Sequence, residues 1–229
     1  MIKENNIAID IKRTQRRKSI SITIADNRVK IAVPYHLPQD QIDKLLKKKS
    51  KWIKEKLFVQ SQIQTARKKD YVSGEDFLYL GRHYRLKVLL GKKYLVELKN
   101  GYLTVYVKDK SKTAKTKRLI KQWYLKQASI YLIKKTEQLA STLSLTFNFS
   151  KVREYKSRWG SCSTSGNIFY NWRLVMAPPK IIQYVVFHEL MHLKEHNHSP
   201  KFWKMLRSAY PDLDTAKQWL VYNGHTLHI

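Results

Sequence analysis

Two histidines with a glutamate between them form the strongest chemical signal in the sequence. His188 and His192 lie four residues apart, and Glu189 follows the first of them. On an α-helix this spacing puts both imidazoles on one side, about one turn from each other. Two neutral imidazoles so placed can bind one metal ion, and the carboxylate can reach a water on that ion. The pattern is typical of zinc-dependent hydrolysis of peptide bonds.

The residues before this motif indicate that it lies in a buried helix. Residues 180–187 carry apolar side chains on the face and at the density that a core helix needs. An unpaired ionisable cluster is costly in such surroundings, and a bound metal satisfies it most simply. We therefore predict that His188 and His192 bind Zn²⁺. The alternative is a pair of core histidines without a metal.

A catalytic zinc usually takes a third protein ligand, and two histidines follow the motif. His196 shares the helical face of His192 if the helix continues that far. We expect the helix to end near His196, because Asn197 tolerates a left-handed cap conformation and a proline follows soon after. The turn then brings His198 back to the metal and leaves His196 at the surface. The alternatives are a His198 that only caps the next helix and a His196 that binds the metal.

The net charge is the second strong feature of the chain. The sequence holds 45 Lys and Arg against 17 Asp and Glu, a formal net charge of +28 that is spread along its length. A globular protein this basic exposes positive faces, which attract nucleic acid through phosphate contacts. Non-specific DNA is therefore a candidate partner, while no helix-turn-helix or zinc-finger pattern predicts sequence-specific recognition. The alternative is a lysine-rich surface that only keeps the protein soluble.

Cysteine content and hydropathy predict a cytoplasmic protein that does not cross a membrane. No run of 18 apolar residues is present, and the first ten residues have no apolar signal core. The single cysteine, Cys162, excludes an internal disulfide and fits a reducing compartment. We expect Cys162 to be a small packing residue, with a third metal ligand or a regulatory thiol as the alternatives.

Alternating apolar and polar residues predict a β-rich first half. Short strands are expected within residues 7–33 and 77–107. Turn signals occur at Asp26-Asn27 and at Asn100-Gly101, and Asn-Gly is a strong hairpin turn. Between the two β segments, Pro38 opens a helix whose outer face is rich in lysine.

The second half is predicted to be mainly helical around one hairpin. A long helix is expected over residues 115–143, followed by a hairpin over residues 151–174 and then by the helix with the histidines. A strand just before such a helix can hold an extended substrate at a sheet edge. The predicted division of the chain is a β-rich region, residues 1–110, and a domain with the metal site, residues 111–229.

Several short motifs, taken together, resemble one known family. They are Arg16-Arg17-Lys18, Val33-Pro34, Trp52-Ile53, Tyr79-Leu80-Gly81, Arg158-Trp159-Gly160-Ser161-Cys162-Ser163, Asn171-Trp172-Arg173-Leu174, Ala177-Pro178, His188-Glu189-Leu190-Met191-His192-Leu193 and Asn197-His198-Ser199-Pro200-Lys201-Phe202-Trp203. In this combination nearly the whole chain resembles the YgjP-like metallopeptidases of bacteria, which group with the SprT-like and WLM zinc proteases. Some of those relatives cut proteins that are crosslinked to DNA.

The resemblance implies an α+β fold and a zinc peptidase. It implies an N-terminal β-rich region with a helix, then a minimal zincin-like, gluzincin-type domain built from the long helix, the β-hairpin and the motif helix. The third zinc ligand of the relatives has the offset of His198 and precedes a Phe-Trp-like pair. This supports His188, His192 and His198 as the ligands of Zn²⁺, and the chain departs from the pattern neither there nor at Glu189.

The expected reaction is hydrolysis of a protein or peptide substrate. Glu189 is the expected general base, which takes a proton from water on the metal and passes it to the leaving amine. Glu195 is a candidate for orienting an imidazole. Four side chains are candidates for a second donor to the oxyanion: Tyr170, Arg158, Arg173 and His196.

Two other functions stay open from the sequence. One is a nucleic-acid-binding protein with a structural or degenerate zinc site. A structural zinc normally has four protein ligands, and a clear fourth is missing. The other is a toxin or defence-associated protein whose metal domain acts in a larger assembly. The sequence does not fix the oligomeric state.

Overall fold

The computed structural model describes residues 2–4, 7–15, 20–25, 28–62 and 69–229. The turn signal at Asp26-Asn27 and the motif Arg16-Arg17-Lys18 lie outside those residues. The chain divides into two compact units, Met1–Thr65 and Ala66–Ile229, and each has its own hydrophobic core.

The N-terminal unit consists of four strands and one helix: β1 (Ile2–Glu4), β2 (Ile7–Thr14), β3 (Ser21–Ala25), β4 (Arg28–Pro34) and α1 (Gln39–Gln62). The strand order is β1-β2-β4-β3, with β2 and β4 parallel and the two outer pairs antiparallel. Alternation along β4 buries Val29, Ile31 and Val33 in one core. The helix completes that core with Ile42, Leu46 and Ile53.

The second unit begins with a sheet of the same strand order. Its strands are β5 (Asp76–Tyr79), β6 (Arg82–Leu90), β7 (Leu95–Lys99) and β8 (Tyr102–Val107). The order is β5-β6-β8-β7, with β6 and β8 parallel. Asn100 and Gly101 join β7 to β8 with φ angles of 50° and 77°, so the predicted hairpin turn is confirmed.

The long helix α2 (Thr113–Thr142) connects this sheet to the rest of the unit. It contacts β7 and β8 and also the elements that follow it in the chain. The Tyr124 hydroxyl donates to the carbonyl oxygen of Leu78, and the Thr136 hydroxyl donates to the Tyr170 oxygen, 3.0 Å away. Its buried stripe recurs at every fourth position: Thr116, Ile120, Tyr124, Ala128, Leu132, Thr136 and Ala140.

A three-stranded sheet, a 3₁₀ helix and three α-helices follow α2. The elements are β9 (Phe149–Arg153), β10 (Gly160–Cys162), β11 (Asn167–Asn171), a 3₁₀ helix (Trp172–Met176), α3 (Pro179–Met191), α4 (Pro200–Ala209) and α5 (Leu213–Asn223). The predicted hairpin is present as the antiparallel pair β10 and β11. The sequence analysis missed β9, which pairs with β11 in parallel and leaves β10 at the free edge.

The predicted α+β fold is confirmed, with the long helix, the hairpin and the motif helix in the expected order. The boundary between compact units, however, falls after Thr65 and not at residue 110. Sheet β5–β8 shares one core with α2 and α3, because Leu86, Leu103 and Val105 are buried in the same cluster as those helices. A functional division at residue 110 stays a prediction. None of the helices in the described parts of the chain combines the length and the apolar composition that a membrane span requires.

Candidate metal centre

Three histidines converge at the C-terminal end of α3. His188 belongs to the last turn of this helix, His192 is its cap residue, and His198 comes from the loop before α4. One ring nitrogen of each lies within 4.8 Å of those of the other two. The Nε2 atoms of His188 and His198 are 3.0 Å apart. The structure thus brings together the three residues that the sequence analysis selected.

The helix ends earlier than predicted. It stops at Met191 and not near His196, and the N–H groups of Leu193 and Lys194 close tight turns on the preceding carbonyls. The early end lets the chain fold back, so that the carbonyl oxygen of Glu195 lies 3.0 Å from Nδ1 of His192. A backbone carbonyl therefore orients this imidazole, as a ligand histidine requires. The Glu195 side chain was the predicted group for orienting an imidazole, but its carboxylate instead lies 4.0 Å from the Lys201 ammonium.

The turn to His198 is also made differently from the prediction. Asn197 is not among the residues with positive φ, so a left-handed cap at this position is wrong. The Ser199 N–H donates to the carbonyl oxygen of Asn197, 2.8 Å away, and this contact reverses the chain. Ser199 and not His198 caps α4, because its hydroxyl accepts a hydrogen bond from the Phe202 N–H. His198 is thereby left free to face the other two histidines.

Two aromatic side chains of α4 support the histidine rings. Phe202 is fully buried and stacks on His192 with ring centroids 4.6 Å apart. Trp203 stacks on His198 with ring centroids 5.5 Å apart. Both aromatic rings therefore pack directly against the histidine cluster. The stacking restricts both imidazoles to narrow ranges of orientation.

Burial controls the protonation of the site. It lowers the pKa of His188 to about 3, and repulsion from His192, His198 and Lys217 acts in the same direction. Burial also lowers the pKa of His192. Both rings are therefore neutral at pH 7, which is the form that binds a metal. Burial raises the pKa of Glu189 to about 8, against the attraction of the Arg158 guanidinium.

A cleft of about 430 Å³ opens between β10 and α3. Residues 158–162 line one wall, and His188 and Glu189 line the other. At Gly160 a Cβ atom would lie 2.5 Å from Oε1 of Glu189, so only glycine lets the strand pass this close to the carboxylate. The sequence analysis missed this role of Gly160. A glycine inside a strand pattern is the available signal, since it often marks close approach of another group.

Comparison with known families identifies the chain at this point. The YgjP-like metallopeptidase domain matches residues 18–223. The chain belongs to the YgjP-like metallopeptidase family. The predicted family is thereby confirmed, and with it a protease whose substrates are proteins or peptides.

One solved structure with partial likeness is the metallopeptidase zymogen of Pyrococcus abyssi abylysin. It is 23% identical, and the match covers 38% of this chain and 86% of that chain with a TM-score of 0.34. At that score the likeness carries no argument about this chain. The search of curated proteins found no match to this chain.

The four candidate donors to the oxyanion separate into two groups. Arg158 and His196 line the cleft, whereas Tyr170 is fully buried against Thr136, and Arg173 lies in an adjoining cavity. The first two are therefore the better placed donors to an oxyanion.

Cys162 also lines the cleft but is not part of the histidine cluster. Burial, and then Glu189, raise the pKa of its thiol to about 11, which fits the predicted packing role better than that of a reactive thiol.

Proposed function

We propose that this metallopeptidase depends on zinc and that His188, His192 and His198 hold the ion. The observation that carries the proposal is the convergence of three imidazoles whose ligand atoms lie within 4.8 Å of one another. Three nitrogen donors with an open fourth position are a common ligand set of catalytic zinc. No carboxylate or thiolate joins the cluster in the part of the chain that the structure describes. Oxygen-preferring Mg²⁺ and Ca²⁺ therefore fit less well.

Glu189 is the proposed general base. Zinc bound by the histidines would supply a Lewis acid that polarises the scissile carbonyl and makes water acidic enough to react near neutral pH. Glu189 takes a proton from the attacking water and returns it to the leaving amine. Its position supports this role, because Glu189 lines the same cleft as the three histidines and can reach a water between them. Arg158, on the opposite wall of the cleft, is positioned to donate to the developing oxyanion.

The free edge of β10 is the proposed binding surface for the substrate backbone. β10 pairs on one side with β11, with Gly160 opposite Tyr170 and Cys162 opposite Ile168. Because the Trp159 carbonyl and the Ser163 N–H both bond to the β11 side, alternation turns the N–H and C=O of Gly160 and Cys162 outward. An extended peptide can add there as a further strand, next to Glu189.

Non-specific nucleic-acid binding is a second candidate function, favoured by the outer face of α1. Six of its lysines are exposed: Lys44, Lys47, Lys48, Lys49, Lys51 and Lys54. If they contact phosphates, replacing Lys48 and Lys51 by Gln lowers affinity for duplex DNA and reduces the salt slope by about two. An unchanged slope would contradict this function. Action on nucleic-acid-associated proteins and a cytoplasmic location stay predictions.

Metal content tests the proposed ligands. We expect about one zinc per chain in wild-type protein, by analogy with other three-histidine sites, and a loss of zinc in His198→Ala. The matched control is His196→Ala, which removes an exposed histidine two residues away and should retain the metal. Equal zinc content in wild type and His198→Ala would show that His198 is not a ligand.

Peptide cleavage tests the proposed base. Glu189→Gln keeps the size of the side chain but cannot accept the proton, so the turnover rate should fall by about 10²–10⁴-fold. Zinc content of the same variant should stay at the wild-type level, because Glu189 is not one of the proposed ligands. Cleavage at the wild-type rate by the zinc-loaded variant would refute this mechanism.

A further inference from the structure

A second cavity adjoins the metal cleft. It has a volume of about 670 Å³ and shares Arg158, Trp159 and Leu220 with the cleft as common wall. A peptide that lies along β10 and leaves the cleft past Arg158 would therefore enter this cavity. We call it the Arg158–Arg173 cavity after the two arginines in its lining.

The lining of this cavity is cationic. Lys156, Arg158 and Arg173 contribute positive charges, and Glu154 contributes a carboxylate. That carboxylate is already paired, since Lys121 and Arg173 each lie 2.9 Å from it. Across the described parts of the chain, no carboxylate lies within ion-pair distance of Lys156 or Arg158. Lys156 is thus left without a counter-charge, whereas the Arg158 guanidinium attracts the Glu189 carboxylate.

Two histidines in the same lining leave ring nitrogens without partners. Nδ1 of His225 and both ring nitrogens of His228 are buried and find no hydrogen-bond partner in the described residues. A buried polar group without a partner costs about 1–3 kcal/mol. A hydrogen-bonding group that reached these nitrogens would relieve that cost.

The cationic wall is held in place by buried groups. Asn171 is 4% exposed, and its amide donates to the carbonyl oxygens of Tyr155 and Arg158 at 3.0 and 3.2 Å. The Arg173 guanidinium lies 4.5 Å from the ring centre of fully buried Trp172. Such support fixes charged groups before a ligand arrives, which lowers the entropic cost of binding it.

We propose that the Arg158–Arg173 cavity is a subsite for a carboxylate of the substrate. The carboxylate comes from an Asp or Glu side chain near the scissile bond or from the substrate's own C-terminus. Because Arg173 is paired with Glu154, the Lys156 ammonium is the cation left to pair with a substrate carboxylate, which gives this cavity its preference for acids over amides. The inference rests on the proposed peptidase function and adds a substrate class to it.

A cleavage survey tests the subsite. Zinc-loaded full-length protein is incubated with a proteome-derived peptide library, and the cut positions are read by mass spectrometry. We expect acidic residues to be enriched at one fixed distance from the cut, by about tenfold over their amides, as for one charged hydrogen bond. Lys156→Glu should abolish or reverse the enrichment. The control is Lys92→Glu, an equal charge change in the exposed β6–β7 turn outside both cavities, which should preserve it.

A binding measurement distinguishes failure of the subsite from failure of the peptidase function. Two labelled degenerate decapeptide mixtures, with a central Glu or a central Gln, are titrated into Glu189→Gln protein. The Glu mixture should bind at least about threefold tighter, and Lys156→Glu should remove the difference. Amidated and free C-termini separate side-chain from terminal carboxylates. Cleavage without acidic enrichment, or enrichment unchanged by Lys156→Glu, would overturn the subsite alone. A library left uncut by wild type would overturn the peptidase function, while the titration still reports on the subsite.

Discussion

Sheet β1–β4 with α1 and sheet β5–β8 with α2 are built in the same way. In each, the strand order is first, second, fourth, third, and the second and fourth strands are parallel. A long helix follows the fourth strand in both cases. The two ββββα segments differ in what their helices contact and in which side chains their units bury.

Helix α1 has one buried side and one basic side. Its buried positions close the core of its own sheet, and its outer face carries lysines. Helix α2 contacts its sheet and also β9, α3 and the 3₁₀ helix. The described residues of the N-terminal unit bury no ionisable side chain, whereas the second unit buries Glu189 and His192. The shared topology of the two segments therefore does not by itself produce a metal site. The site depends on the elements that pack against α2 in addition to its own sheet.

Of the changes that test this contrast between the two units, one added methyl group beside Glu189 has the largest expected effect. The candidate metal site lies among the elements that follow α2. Within it, β10 passes close to α3 at Gly160. Gly160→Ala puts a Cβ 2.5 Å from Oε1 of Glu189, so the carboxylate must move. A displacement of about 1 Å can cost about 100-fold in rate. We expect that loss in kcat for peptide cleavage, with zinc content unchanged.

The neighbouring residue supplies the control for Gly160. Ser161→Ala removes a hydroxyl that lies 2.8 Å from that of Tyr155 and adds no atom next to Glu189. This variant should lower activity far less than Gly160→Ala. If Gly160→Ala and Ser161→Ala were equally active, the close approach of β10 to Glu189 would not matter for catalysis.

A matched pair of core substitutions compares the two helices directly. Leu46 of α1 is 2% exposed and Leu132 of α2 is fully buried, so either change to Ala should cost about 2–5 kcal/mol in the free energy of unfolding. Leu46→Ala should raise hydrogen exchange in α1 and leave cleavage at 25 °C near the wild-type rate. Leu132→Ala should raise exchange in α2 and α3 together and lower the temperature at which activity is lost.

The outcome decides whether the two segments are energetically separate. Hydrogen exchange resolved by peptide gives the protection of α1, α2 and α3 in each variant. If both variants weakened all three helices equally, the chain would unfold as one unit and the comparison between two units would lose its basis.

The local part of the site was predictable from the sequence. The spacing of His188, Glu189 and His192 is set by helix geometry, and the proline after His198 forces a turn within a few residues. Alternation likewise predicted the strands of both sheets except β1, which lies before residue 7. These features depend on neighbours in the chain, so one sequence is enough to derive them.

The features that the sequence did not predict depend on contacts between distant segments of the chain. β9 pairs with β11 across the hairpin, and nothing in its own five residues marks a parallel partner. The helix ends at Met191, and the Glu195 carbonyl oxygen then lies 3.0 Å from Nδ1 of His192, a contact that helix propensity does not encode. Gly160 matters only because α3 passes beside it. The common topology of the two sheets was also missed, since it lies in strand order and not in residue identity.

The smallest expected effect is a dependence of stability on pH that belongs to the second unit alone. In metal-free protein, burial raises the pKa of Glu189 from 4.5 to about 8. The folded state then holds this proton more tightly than the unfolded chain does. The resulting stability is fully present below pH 4.5 and is lost as the pH rises to about 8, with a slope of up to about 1.4 kcal/mol per pH unit. His188 and His192 act in the opposite sense, because their lowered pKa values make their contribution complete above about pH 6.5.

Between pH 6.5 and 8, Glu189 therefore determines the direction of the pH dependence, and the free energy of unfolding should fall as the pH rises. Urea unfolding of chelator-treated protein should show a loss of up to about 2 kcal/mol over this range in wild type and almost none in Glu189→Gln. Exchange of α1 amides should stay constant in both proteins, because no buried ionisable group lies among the described residues of its unit. An equal decline in wild type and Glu189→Gln would mean that Glu189 is ionised in the metal-free fold. The contrast between a unit that buries charge-bearing groups and a unit that does not would then lose its thermodynamic support.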